Sequence, residues 1–474
     1  MFCFIDLNMS MTVDAPENVE RRTSHMANKP ENWMEITPEQ KRAHRLENFS
    51  KSGQNVQFVS PEAEKNYEIR IKRLLAVYNL QKPDRVPLNI NAGNLPLTMA
   101  GLNGHTAFYE PQKAMDAYMK FNEKYSQELE MFSMPMAMSG EALDLLDYKL
   151  YKWPGHGLSN DASGWQFIEG EYMTTDEYDD LIHDPSDFWL RKYLPRCFGA
   201  LEGFRMFQPF TNITENVGVG QFMALAMPPV QEMLKTLLKV GEAFQRNSAD
   251  MLQYMNMGAS WGFPGMMMGA FCKAPFDTLG DTLRGTANIM KDMFRRPQKL
   301  LEVLDVIADF TIYNILKSPN IDDAFMVMYP LHKGADGWMS QEQFDKFYWP
   351  SLKKVMDAFI DEGLIQHLFA EGAYNTRLNH INQFPSGSVL WYFDRTDMGE
   401  AKRILGKDCP LMGNIPSSLV VAGEPADVKA YCKNLIEVAG KDGGFIMAPG
   451  CFSENPKLEN LQAMVEAVNE YGYY

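Results

Sequence analysis

The sequence predicts an α/β protein: a (β/α)8 barrel of the TIM type over residues 63–474, behind an N-terminal arm of residues 1–62. Three observations carry this. The C-terminal third alternates short apolar runs with segments at helical spacing, in units of about thirty residues that demand parallel pairing. The apolar runs lack a polar face, as strands covered by helices do. Polar residues stand at or just past the ends of these runs, where barrel enzymes place their chemistry.

Taken in order, "TPEQKRAHRLENF" reads as one helix with Thr37 as N-cap, inside an otherwise polar arm. Ser60 caps a second helix that runs into "QKPDR", and "VPLNI" follows as a strand. Residues 150–330 read as mostly helical, with apolar stripes such as "VQEMLKTLLKVGEAF" that serve as core faces. The methionine run in "GFPGMMMGAF" is read as soft core filling or as a pocket wall. Then come "LIQHLFA" (strand), "YNTRLNHINQF" (helix), "VLWYFD" (strand), "MGEAKRILG" (helix), "CPLMGNI" (strand), "PADVKAYCKNLIEVAG" (helix), "GGFIMAPG" (strand) and "LENLQAMVEAVNEYG" (helix). A doubly wound sheet satisfies the same alternation. No GxGxxG follows the first predicted strand, which removes the dinucleotide argument for it.

Bulk properties exclude several functions. The net charge of −16, with no basic run, disfavours nucleic acid. Six cysteines without CxxC spacing imply reduced thiols and a cytoplasmic protein. The N-terminal stretch lacks a basic region ahead of its short apolar run and so does not read as a signal peptide. No run of eighteen apolar residues is present to span a membrane.

Candidate site residues come from the strand ends. Glu371, beside a glycine after "LIQHLFA", is a candidate general base or metal ligand, and His367 lies on the same strand face, roughly 13 Å away at about 3.3 Å per residue. A turn at Gly372 would shorten that reach. Asp394 and Lys333 are further catalytic candidates; Asn91, Asn94, His332, Asp336 and Asn414 are candidates for substrate binding.

The span from about 65 to 474 resembles the uroporphyrinogen decarboxylase family, on "PDRVPL", "NAGNLP", "KAPFDTLGDTLRGTANIMKDMFRRPQKLLEVLD", "FAEGA", "FDRTDMGEAKRILGKDCPLMGNIP" and "GGFIMAPG…ENLQAMVEAV". The resemblance implies the same barrel and two kinds of activity, porphyrinogen decarboxylation and zinc-dependent methyl transfer with corrinoid proteins. Where the decarboxylases carry arginines for a polycarboxylate, this chain has Asn91 and Asn94, and the family lysine of an "FAKG"-type strand end is Glu371. A buried polyanion without guanidinium partners costs several kcal/mol.

The methyltransferase branch implies zinc on a His-x-Cys of the strand matching 365–371 and on a cysteine after the last strand. His367 and Cys451 occupy two of these places and Phe369 the third; with Glu371 they form the expected zinc set of His367, Glu371 and Cys451. The expected function is a methyltransferase moving a methyl group between a small methylated compound, such as a methyl ether, and a corrinoid. No "DxHxxG" stretch is present, so the corrinoid belongs to a separate protein. The alternatives are a decarboxylase of a small or porphyrin-like acid and a barrel that binds a tetrapyrrole or corrinoid without turnover. The arm serves either to close the barrel or to pair two copies as a homodimer.

Overall fold

A computed structural model describes residues 29–474 apart from 266, 267, 320 and 452. The start of the arm, with Cys3, and part of the methionine run lie outside the described residues.

Six parallel strands form the central sheet in sequential order: β1 (Met268–Phe271), β2 (Met326–Leu331), β3 (Ile365–Ala370), β4 (Val389–Phe393), β5 (Leu411–Ile415) and β6 (Phe445–Pro449). Helices return the chain between them, as parallel pairing requires. Residues 87–89 extend the sheet beyond β6: Asn89 N donates to Met447 O (2.8 Å) and Met447 N to Pro87 O (2.9 Å). This is the wall of a parallel α/β barrel, and among the described residues no ladder joins the 87–89 segment back to β1. "VPLNI", expected as a strand, thus contributes only this short pairing.

Strand register decides which side chains meet. Met326, Ile365, Leu390, Met412 and Ile446 share the inner face and form one cluster, while Val327, Leu368, Trp391, Leu411 and Phe445 pack outward against the helices. Both faces are buried, which explains why these strands read as unbroken apolar runs.

The expected helix behind Thr37 is α1 (Pro38–Ser50), closed by a capping box with Gln40; Ser60 caps α2 (Pro61–Tyr78). Leu46 and Phe49 of α1 and Tyr67 and Ile71 of α2 join the inner-face cluster, with Phe49 stacked on Phe325 at 4.3 Å between ring centroids. Arg45, 3% exposed, donates to the carbonyls of Ile321 (2.7 Å), Ala324 (2.5 Å) and Glu362 (2.8 Å). These carbonyls lie in the turns entering β2 and β3, so α1 covers the base of the sheet.

The middle region holds a helix of 33 residues, α3 (Pro228–Ser260), together with a small three-stranded sheet (Tyr151–Pro154, Gly157–Leu158, Gln166–Phe167) that was not expected in a mostly helical segment. Its two-residue strands are too short to leave a period in the sequence. "YNTRLNHINQF" is helical only over Leu378–Ile381. Among the described residues no helix is long and apolar enough to cross a membrane.

Candidate active site

The carboxyl ends of β1, β2, β3 and β4 bring together Lys273, His332, Glu371 and Asp394, and the helical turn 275–284 after β1 brings Asp277 and Asp281 to them. Alternation along β2 places Pro330 and His332 on the inner face and Leu331 and Lys333 on the outer. Both His332 and Lys333 nonetheless reach Asp281, one at each carboxylate oxygen.

Asp277 is fully buried and clamps the loop. Its Oδ2 accepts from His332 N (3.0 Å) and the Tyr348 hydroxyl (2.7 Å), and its Oδ1 accepts from Lys333 N (2.9 Å). Burial and the neighbouring Asp281 raise its pKa. Asp281 is the hub. Its Oδ2 meets Nδ1 of His332 at 2.5 Å and Nζ of Lys273 at 2.6 Å, and its Oδ1 meets Nζ of Lys333 at 2.5 Å. Burial acts to raise the Asp281 pKa, but His332 and the two lysines outweigh it and hold the carboxylate charged.

The Asp281 contact fixes the ring of His332, and Nε2 lies 3.5 Å from Glu371 Oε1. Burial alone would lower the His332 pKa. The Asp281 hydrogen bond and the charges of Asp277, Asp281 and Glu371 outweigh it and raise the imidazole above its ordinary 6.5. Burial, then the carboxylates Asp277, Asp394 and Asp281, raise the Glu371 pKa against the pull of His332. Two proton carriers with upward-shifted pKa values thus stand side by side, half-buried, at the end of the inner face. This is the pattern of a general acid.

The remaining candidates are placed otherwise. Lys333 lies beneath the mouth, its ammonium held by Asp281 and 4.5 Å from the Trp338 ring centroid. Gly280 leaves it room, since a Cβ there would strike the lysine chain. Asp394 accepts from Gly372 N (3.0 Å) and so shapes the turn after Glu371, where Gly372 has φ +83°. Asp336 accepts from the Thr376 hydroxyl at 2.7 Å and pins one loop to the next. Asn91 accepts from Gly93 N (3.1 Å), and Asn94 donates to Ser163 O. Asn414 is buried, donating to Thr396 O (2.6 Å) while its Oδ1 has no partner.

The zinc set is not assembled. His367 is 2% exposed on the inner face, with its ring centroid 6.1 Å from that of Tyr392 and both nitrogens without a hydrogen bond. Phe369, two residues on, fills the same face with a ring against Tyr392 where a second donor would have to stand. Glu371 leans on His332, and Cys451 Sγ lies 3.1 Å from the Ser417 hydroxyl. Among the described residues no three His, Cys, Asp or Glu side chains form a metal-holding group. The donors present do not fit zinc.

The fold and site define a parallel α/β-barrel protein with an acid–base cluster at the carboxyl ends of its strands. Residues 263–471, which contain that whole cluster, match the uroporphyrinogen decarboxylase (URO-D) family model. The methylcobamide:CoM methyltransferase MtaA of Methanosarcina barkeri is 26% identical over 197 residues, covering 41% of this chain and 56% of that protein, so the match spans little more than half the relative's length. A solved methyltransferase from Methanosarcina mazei shares the fold, with a TM-score of 0.53 at 16% identity over 85% of this chain and 98% of that one.

Proposed function

We propose that this protein is a methyltransferase of the URO-D superfamily that takes the methyl group of a small methyl ether and passes it to a corrinoid on a separate protein. The observation that carries the reading is the Asp281–His332–Glu371 chain at the strand ends. The local likeness to MtaA supports methyl transfer as the class.

The bond to be broken joins the methyl carbon to oxygen, and its electron pair stays on the oxygen. An alkoxide or phenoxide leaves poorly. A proton delivered as the bond breaks is worth about 10²- to 10⁴-fold. Glu371 hands a proton to the leaving oxygen, and His332 Nε2 restores it. Asp281 keeps the imidazole charged until that moment. The corrinoid supplies the nucleophile for the methyl carbon. No step runs through a metal.

The same donor also suits a second reading, protonation of the carbanion left by decarboxylation of a small acid, because burial favours a protonated Glu371. Against a porphyrin-like polyanion stand four carboxylates at the mouth, while both local lysines are spent on Asp281.

One experiment addresses both. The full chain is incubated without oxygen with cob(I)alamin and a panel of methoxybenzenes, and methylcobalamin is read by its absorbance, with carbon dioxide release from carboxylated analogues measured alongside. Methylcobalamin formation that falls about 100-fold in Glu371→Gln supports methyl transfer. Carbon dioxide release without methylcobalamin replaces it with the second reading.

A further inference from the structure

The small three-stranded sheet carries an open groove of about 460 Å³, within the ~300–1,000 Å³ of small-molecule sites. Tyr148, Tyr151 and Ile168 give it apolar surface; Lys149, Lys152 and His156 give it cationic and polar edges. Among the described residues Asp147 is the only carboxylate lining it. Asp147 lies 3.6 Å from Lys149, in a pair exposed enough to contribute little. Lys152 is exposed and has no carboxylate partner among the described residues.

The groove is braced more firmly than a surface turn requires. Fully buried Trp153 stacks on His156, with ring centroids 4.1 Å apart and 10° between the planes. Nδ1 of His156 lies 3.0 Å from Oδ1 of Asp144, whose Oδ2 accepts from the Tyr109 hydroxyl at 2.9 Å. That hydroxyl accepts in turn from Nε1 of Trp153 at 3.0 Å. An ionised carboxylate only accepts, so Nδ1 carries the proton and Nε2 is the nitrogen left for a ligand. Tyr148 is fixed by stacking on Phe198 at 4.6 Å. A site held in shape beforehand loses less freedom when a ligand binds.

We propose that this groove binds a small aromatic carboxylate, its ring against Tyr148, Tyr151 and Ile168 and its charge on Lys149, Lys152 and His156. The lining selects this class. Two lysines against one carboxylate make a local positive field in a chain of net charge −16, which elsewhere repels anions. No arginine fork lines the groove to suit a phosphate. A bare inorganic anion would leave the tyrosine and isoleucine surface uncovered, whereas a flat ring buries it. No member of the acid–base cluster lines the groove, so the assignment stands apart from methyl transfer. Tyr151 joins the two sites: burial, then the charge of Asp281, raise its pKa.

Equilibrium dialysis of the full chain against benzoate tests the assignment. The expected dissociation constant lies below about 1 mM. Lys152→Met, at an exposed position where the fold is not at stake, is expected to weaken binding at least ~10-fold, and Lys152→Arg to restore most of it. Glu371→Gln is expected to leave binding unchanged. No binding at about 5 mM benzoate overturns the proposal. So does a dissociation constant unmoved by Lys152→Met but raised by Glu371→Gln, which puts the ligand at the barrel mouth. Equal affinity for benzyl alcohol, which lacks the charge, or for inorganic phosphate, which lacks the ring, overturns it as well.

Discussion

Asp281 holds Nδ1 of His332 at 2.5 Å, and this one contact leaves Nε2 of the ring facing Glu371. A buried imidazole left alone would shed its proton; beside this carboxylate it keeps one. The pair links the helical turn after β1 to the end of β2, and the acid–base reading rests on it.

Asp281→Asn removes the charge and keeps the shape. The donor works in its protonated form, so turnover falls as pH rises through the raised pKa of His332. Without the anion that pKa drops, and the alkaline limb of the pH–rate profile moves to lower pH. Turnover at pH 7.5 is expected to fall about 100-fold, and less at pH 5.5. Stability carries the same signature. The His332 contribution is fully present below its ordinary 6.5 and is lost as pH rises through the raised value. The gap between wild type and variant in urea unfolding therefore narrows above pH 6.5, down to the part owed to Lys273 and Lys333. A profile that keeps its shape would sink the role given to Asp281.

Glu371→Gln tests the other end. Glu371 is half-buried at a strand end and its carboxyl accepts no hydrogen bond that the fold depends on, so the variant is expected to unfold within about 0.5 kcal/mol of wild type. A donor needed only as the bond breaks lowers kcat and leaves KM nearly unchanged. The expected loss in kcat is about 100-fold. A raised KM with an unchanged kcat would make Glu371 a binding group instead.

How far the sequence disclosed this site depends on what each residue needed. β3, β4, β5 and β6 were legible because each is a short apolar run closed by glycine, proline or aspartate, and Glu371 and Asp394 were legible as polar residues ending such runs. Asp281 was not. It belongs to a helical turn within the family-like segment 274–305, and only the fold carries it to His332. The i, i+4 spacing of Asp277 and Asp281 just after a strand was the available signal. Lys333 read as a mouth residue because the loop looked uniform; counting alternation from Pro330 puts His332 inward and Lys333 outward. The zinc set was drawn from family positions, and register alone could not show that the Phe369 and Tyr392 rings pack over the face it needed.

Arg45→Met tests whether the arm is part of the folding unit. The guanidinium donates to four carbonyls in the turns beneath β2 and β3. Burial lowers its pKa to about 10, against the pull of Glu362, so it remains charged at neutral pH. Methionine fills similar volume but strands the carbonyls. The expected cost is roughly 3 kcal/mol in urea unfolding, with a single transition in both proteins. A separate early transition in the variant, with the main midpoint unmoved, would make α1 an appendage.

His367→Leu addresses the orphan imidazole on the inner face. Burial lowers its pKa to about 4, so the folded protein holds the ring neutral while the unfolded chain protonates it near 6.5. Above pH 6.5 neither state takes up the proton and this titration contributes nothing. As pH falls from 6.5 to about 4 the unfolded chain gains a proton that the folded one refuses, and wild-type stability drops by about 3 kcal/mol from this group alone. The leucine variant lacks that drop. It is also expected to be more stable by about 1 kcal/mol at pH 7.5, since two buried ring nitrogens without partners are replaced by carbon. Urea unfolding at pH 5 and pH 7.5 measures both effects. If the variant is instead less stable at pH 7.5 and the wild type shows no acid slope, His367 has a hydrogen-bonding or ligating partner in solution, and the inner face is wetter than its apolar lining implies.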